Sequence, residues 1–134
     1  MLTPILALVA WSLVIWLWMT FTRIPAMKKA HIHPQEAKHT EALHCLPSEV
    51  RQVSDNYNHL LEQPTIFYAL CIYGHLAGTF SALDIQLAWA YVAIRIVHSL
   101  VQCTYNRVMH RFILFEISTL VLVVMAVKAI LAAI

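Results

Sequence analysis

The sequence predicts an all-α membrane protein: a four-transmembrane-helix bundle forming one domain over residues 1–134. Three observations carry this. Of 134 residues, 60% are hydrophobic and only 12% charged, with a mean hydropathy of +0.68. A soluble domain has roughly a quarter charged residues and less than half apolar ones. The apolar residues come in long runs rather than in alternation, which argues against a β-barrel. The first run is about 20 residues long, enough to cross a hydrocarbon core. A disordered chain needs low hydrophobicity and high charge, the opposite of what is seen. The net charge of +2 is too small a bias for a nucleic-acid partner.

Residues 1–22 carry no charge and contain Trp11, Trp16 and Trp18. A signal peptide has its basic residues first, whereas here Arg23, Lys28 and Lys29 follow the run, so a retained span over 3–22 is expected. Residues 23–47 read as a polar loop, with Pro25, Pro34, Pro47 and four of the eight histidines. Ser48 as N-cap and Glu49 in the first turn open a second helix over 49–77, bent at Pro64. A turn at Gly78-Thr79-Phe80-Ser81 leads to a third helix over 84–106, and a fourth covers 111–133. Cys45, Cys71 and Cys103 form no CxxC pair and imply no disulfide framework. Arg23, Lys28, Lys29, Lys38, Arg51, Arg107 and Arg111 cluster around the first and third connections. The positive-inside rule makes those connections cytoplasmic and both termini non-cytoplasmic.

Polar residues inside the apolar runs mark the candidate site. Asp84, Tyr91, Arg95, His98, Gln102, Tyr105 and Asn106 fall within an arc of roughly 100° on the third helix. Arg51, Asp55, Asn58 and Glu62 fall within about 60° on the second. The two stripes are expected to face each other. Arg51 and Asn106 at the headgroups would place Glu62 and Arg95 at the same depth, ~16 Å in, and make them an intramembrane ion pair. Glu116 is the alternative partner. His98, Gln102, Asn58 and Asp55 would line the path outward. Single polar groups between membrane helices serve as glue at ~0.6 kcal/mol each; two long stripes leading to one face point to a site.

The run Asp55-Asn56-Tyr57-Asn58-His59-Leu60-Leu61-Glu62-Gln63-Pro64, with Arg95-Ile96-Val97-His98 and Asn106-Arg107 through Arg111, resembles the MAPEG family, membrane-associated proteins in eicosanoid and glutathione metabolism, and most of all its bacterial branch. The resemblance covers Arg51 to about Phe115. It implies a homotrimer in a bacterial inner (plasma) membrane, with glutathione bound between protomers near the cytoplasmic side. It further implies a transferase or peroxidase acting on lipophilic electrophiles dissolved in the membrane. Asn58 and Glu62 match the helix-two binding residues and His98 a helix-three site residue, with Arg51 and Arg95 beside them. Arg111 falls where a thiolate-stabilising arginine is found, and a cation at the start of a helix suits that role. The sequence departs from the pattern at Ser54, where an arginine is usual, and at Gln102, where a tyrosine is common.

Other readings differ in class. A non-catalytic accessory or structural subunit would use the same stripes as packing and trimer contacts. Haem ligation by His75 and His98 fails on depth, because the two lie at different levels of the bundle. Metal binding by His31, His33, His39, His44 and Cys45 fails on spacing, which fits no closed zinc pattern; no metal ligands are assigned.

Overall fold

The computed structural model describes residues 2–134, which form α-helices, short 3₁₀ turns and connections, with no strand among the described residues. Helix α1 spans Thr3–Lys29. Pro4 sits at its start, where a missing N–H costs no hydrogen bond. Its buried face is Pro4, Leu8, Ser12 and Ile15, a spacing of four, four and three that forms one stripe. The Ser12 hydroxyl returns to the Leu8 carbonyl at 2.9 Å.

The helix passes the expected end at residue 22 and carries Arg23 and Pro25 inside it. The polar loop therefore begins at Ala30, not at residue 23. Backbone hydrogen bonding, rather than hydropathy, sets where a helix stops. Lys28 and Lys29 in the last turn also suit the negative end of the helix dipole. The remaining connection holds two 3₁₀ turns, Glu36–Lys38 and Thr40–Leu43.

The expected second helix is two helices, α2 over Ser48–Leu60 and α3 over Gln63–Ala77. Pro64 has no N–H to give the Leu60 carbonyl, and α2 stops at Leu60. Leu61 and Glu62 instead donate to Asn58 and His59, the tightened i→i+3 pattern, at 3.0 and 3.3 Å. Pro47, not Ser48, takes the N-cap position of α2.

Gly78 ends α3 in the left-handed region at φ 64°, and Thr79 N–H bonds the Gly74 carbonyl at 3.2 Å. The Phe80 ring folds back onto Gly74 so closely that a Cβ there would collide with it. Helix α4 spans Ala82–Cys103 and α5 spans Val108–Ala133, so the last connection is displaced from the expected 107–110. Asn106, at φ 48°, makes this turn and donates its N–H to Val101 at 2.8 Å.

Helix α4 packs against α5, α1 and α2, while α3 packs on α5. The core between them includes Leu8, Ile15, Leu60, Phe67, Tyr91, Val92 and Met125. Phe67 stacks on Tyr91 with ring centroids 4.5 Å apart. Much of the outward surface is apolar, with Leu6, Leu13, Leu76, Leu120 and Leu131 exposed. Such a surface suits lipid rather than water. Helices α1 and α5 are each long and apolar enough to cross a membrane.

At the end away from the basic residues, the Asp84 carboxylate ties three segments together. It accepts from the Ser81 N–H at 2.8 Å, from the Ser81 hydroxyl at 2.7 Å and from Lys128 Nζ at 2.7 Å. Lys128 had no part in the charge count that set the expected orientation, and its ion pair explains why a lysine is tolerated at that end.

Candidate functional site

The α4 stripe lies inside the bundle: Asp84, Tyr91, Arg95, His98 and Gln102 are all buried. Tyr105 is exposed, because α4 has already ended at Cys103.

The α2 stripe does not meet it. Arg51, Asp55, Asn58 and Glu62 are all exposed on the surface of the bundle. The face turned to α4 is instead Gln52, Asn56 and Leu60, spaced by four residues. Asn56 and Ser99 exchange two hydrogen bonds of 3.0 and 3.2 Å, and Gln52 donates to the Thr104 carbonyl at 3.0 Å. Polarity alone could not distinguish these two faces, since both carry polar side chains; Val53 and Leu60 mark the one that packs.

The expected Glu62–Arg95 ion pair is absent within the chain among the described residues. The Glu62 side chain is 71% exposed and lies 3.6 Å from His59 Nδ1. The break before Pro64 accounts for this, because Glu62 is the cap of α3 rather than a continuation of α2. Glu116 is exposed and does not reach Arg95 either. Arg95 is 0% exposed, and none of its three guanidinium nitrogens has a hydrogen-bond partner. Its guanidinium carbon sits 5.6 Å from the centre of the Phe115 ring. A cation–π contact is worth ~0.5–2 kcal/mol and does not replace an anion.

Phe115 joins the residues around it. The His59 ring lies 5.2 Å from it, the His98 ring 6.4 Å, and the two imidazoles are 5.1 Å apart. His59, His98, Val108, Arg111, Phe112 and Phe115 line a cavity of about 210 Å³. Arg111 enters from the first turns of α5, held by a 2.5 Å hydrogen bond from Nη1 to the Asn106 side-chain carbonyl. Arg111 Nε and His98 Nδ1 are buried without partners. Arginine keeps its charge in proteins. Arg95 and Arg111 thus bring two fixed positive charges beside one carboxylate, that of Glu62. The N-terminal end of α5 adds its partial positive charge. Such a cavity favours a bound anion or a group becoming one.

Asn58, next in sequence to His59, faces a second cavity of about 170 Å³, shared with Arg23, His44, Arg51, Ser54 and Asp55. Arg51 is held by a 3.3 Å hydrogen bond to the His44 carbonyl. Arg23 reaches across from α1 and donates from Nη2 to the Ser54 hydroxyl. A guanidinium therefore does occupy the neighbourhood of Ser54, carried by a different helix.

Of the residues singled out from the sequence, His98 and Arg111 share one cavity, with Arg95 and Glu62 at its margins through Phe115 and His59. Arg51 and Asn58 share the other. Arg23, Asn56 and His59 were not singled out. His59 carried a signal, its three-residue spacing to Glu62, while Arg23 carried none beyond its place after an uncharged run.

No curated protein and no solved structure matches the chain. A family model does, described as the MAPEG family and covering residues 1–131. With its four-rod helical bundle and apolar outer surface, this chain is a membrane protein that belongs to the MAPEG family.

Proposed function

We propose that this protein is a homotrimeric enzyme that binds glutathione and joins its sulfur to lipophilic electrophiles, or uses it to reduce lipid peroxides. The observation that carries the reading is the convergence of Arg111, His98 and His59 on one cavity, with buried N–H groups of Arg111 and Arg95 that have no acceptor. The donor set fits an anionic thiol ligand. A free thiol titrates near 8.5 and is activated by an adjacent cation and a helix N-terminus. Arg111 supplies the first and α5 the second. Arg51, Asn58 and Arg23 would hold the ligand's carboxylates and amide groups, with Arg23 taking the place that Ser54 leaves open. Charge-assisted contacts of this kind are roughly twice as strong as neutral ones. Glutathione itself supplies the nucleophilic sulfur.

The exposed stripe of Arg51, Asp55, Asn58 and Glu62 supports the trimer, since neighbouring copies would cover polar groups that a bundle in lipid does not leave bare. The basic end would face the cytoplasm of a bacterial inner membrane, with both termini on the other side. Calorimetry with glutathione on the purified protein, beside a thermal melt, tests the reading. Heat of binding and a raised melt support it. Neither signal in the wild type would refute it and leave a non-catalytic subunit, a role also found in this family.

A further inference from the structure

The break between α2 and α3 does more than bend a rod. It places a carboxylate beside an imidazole at the wall of the cavity. Glu62 Oε2 lies 3.6 Å from His59 Nδ1 across an i,i+3 step. The Glu62 carbonyl is itself fixed by the Thr65 hydroxyl at 2.6 Å, and the Glu62 N–H by the His59 carbonyl at 3.3 Å. Among the described residues, His59 is the only histidine within 4 Å of a carboxylate. It lines the same cavity as Arg111 and rests against His98 and Phe115. His98, equally close to the cavity, has no such partner, and its Nδ1 is unsatisfied.

We infer that His59 is the proton acceptor for the bound thiol, and that Glu62 is its positioning residue. The inference rests on the thiol reading above. Nε2 of neutral His59 takes the proton from S–H, the S–H electron pair stays on sulfur, and the proton ends on an imidazolium flanked by the Glu62 carboxylate. No oxidant or further reactant enters, and charge is conserved. The groups facing His59 from each packed element are Glu62 at the α2–α3 break, Arg95 and His98 on α4, and Arg111 on α5. The Glu62 carboxylate counters part of the opposition that these cations offer to the imidazolium. A base–acid pair so placed contributes ~100- to 10,000-fold in rate. Arg111 and His59 then divide the work: the arginine steadies the negative sulfur, and the histidine removes the proton.

The test uses the full-length protein in lipid nanodiscs with glutathione as probe. One readout is the ultraviolet absorbance of the bound thiolate. The other is nitrogen NMR of the His59 imidazole before and after glutathione is added. The inference expects thiolate absorbance together with a newly protonated His59 ring. In His59→Gln the thiolate fraction at neutral pH should fall about tenfold or more and turnover about 100-fold, with binding largely kept. Glu62→Gln, at an exposed side chain that makes no cap hydrogen bond to α3, should lower the thiolate fraction less and leave His59 in place. Thiolate unchanged in both variants, or a His59 ring that stays neutral when thiolate forms, overturns the role of His59 and leaves the glutathione reading standing. Glutathione that does not bind to the wild type overturns both.

Discussion

Breaking the Asp84–Lys128 ion pair should loosen the whole end of the bundle where α4 begins and α5 finishes. The Asp84 side chain is 3% exposed and that of Lys128 is 35% exposed. Asp84→Ala removes the capping-box partner of Ser81, a loss of ~1 kcal/mol. It also leaves an ammonium without its anion. A fully buried pair costs ~3–5 kcal/mol when one member is removed. Lys128 is over a third exposed, so water recovers much of that, and about 1–2 kcal/mol is the discounted figure. The expected total for Asp84→Ala is therefore about 2–3 kcal/mol.

Lys128→Met leaves the carboxylate with both Ser81 donors, so its loss should be smaller, about 1–2 kcal/mol. The double variant should lose less than the two singles together, with a coupling of about 1 kcal/mol. The assay is reversible unfolding of all four proteins in mixed micelles, followed by far-ultraviolet circular dichroism. Additive losses, with coupling under ~0.5 kcal/mol, would show that the 2.7 Å contact contributes nothing and refute the reasoning.

Arg111→Leu should abolish most of the thiolate absorbance and turnover while moving the melt little, because Arg111 packs at a helix start and its Nε has no protein partner; an equal loss of stability would assign it to the fold instead. Arg95→Met should leave the melt of the ligand-free protein unchanged or raise it, since it exchanges an unpaired buried cation for an apolar side chain of similar length; a large drop would mean that a neighbouring subunit supplies an acceptor. Gly74→Ala should destabilise by ~1–3 kcal/mol, measured in the same unfolding assay, because the Phe80 ring must leave its place over α3. A C-terminal alkaline phosphatase fusion should be active and a green fluorescent protein fusion dark; the reverse would overturn the proposed orientation.

The α4 stripe was legible in the sequence because its polar residues keep helical spacing through an apolar background, and no proline or glycine interrupts it. The α2 stripe was legible as a stripe but not as a direction. Asn56 and Gln52 are as polar as Asn58 and Arg51, and only the packing of Val53 and Leu60 decides which set turns inward. Pro64 was readable as a bend, yet a bend does not say which way Glu62 will swing. The pairing with Arg95 assumed a continuous helix and failed where the helix breaks. Arg23 was misplaced for a related reason. Its charge marks the end of the apolar run, but the backbone carries on helically to Lys29 and so holds that guanidinium against α2. Arg111 and His98 line one cavity, and each lies in a regular helical stretch whose depth can be counted.

The unsatisfied guanidinium of Arg95 ties folding to chemistry. Burying a cation without an anion is costly, and under the proposed reading an anion bound close to it would offset part of that cost. Ligand affinity and protein stability are then linked. A ligand at 100 times its dissociation constant adds ~2.7 kcal/mol to the folded state, and at 1,000 times ~4.1 kcal/mol. Under that reading the melting temperature would report occupancy. A library of anionic metabolites can be ranked by melting temperature alone, before any reaction is known, and the compound the cell supplies should stand out as the one that makes the bundle hardest to melt.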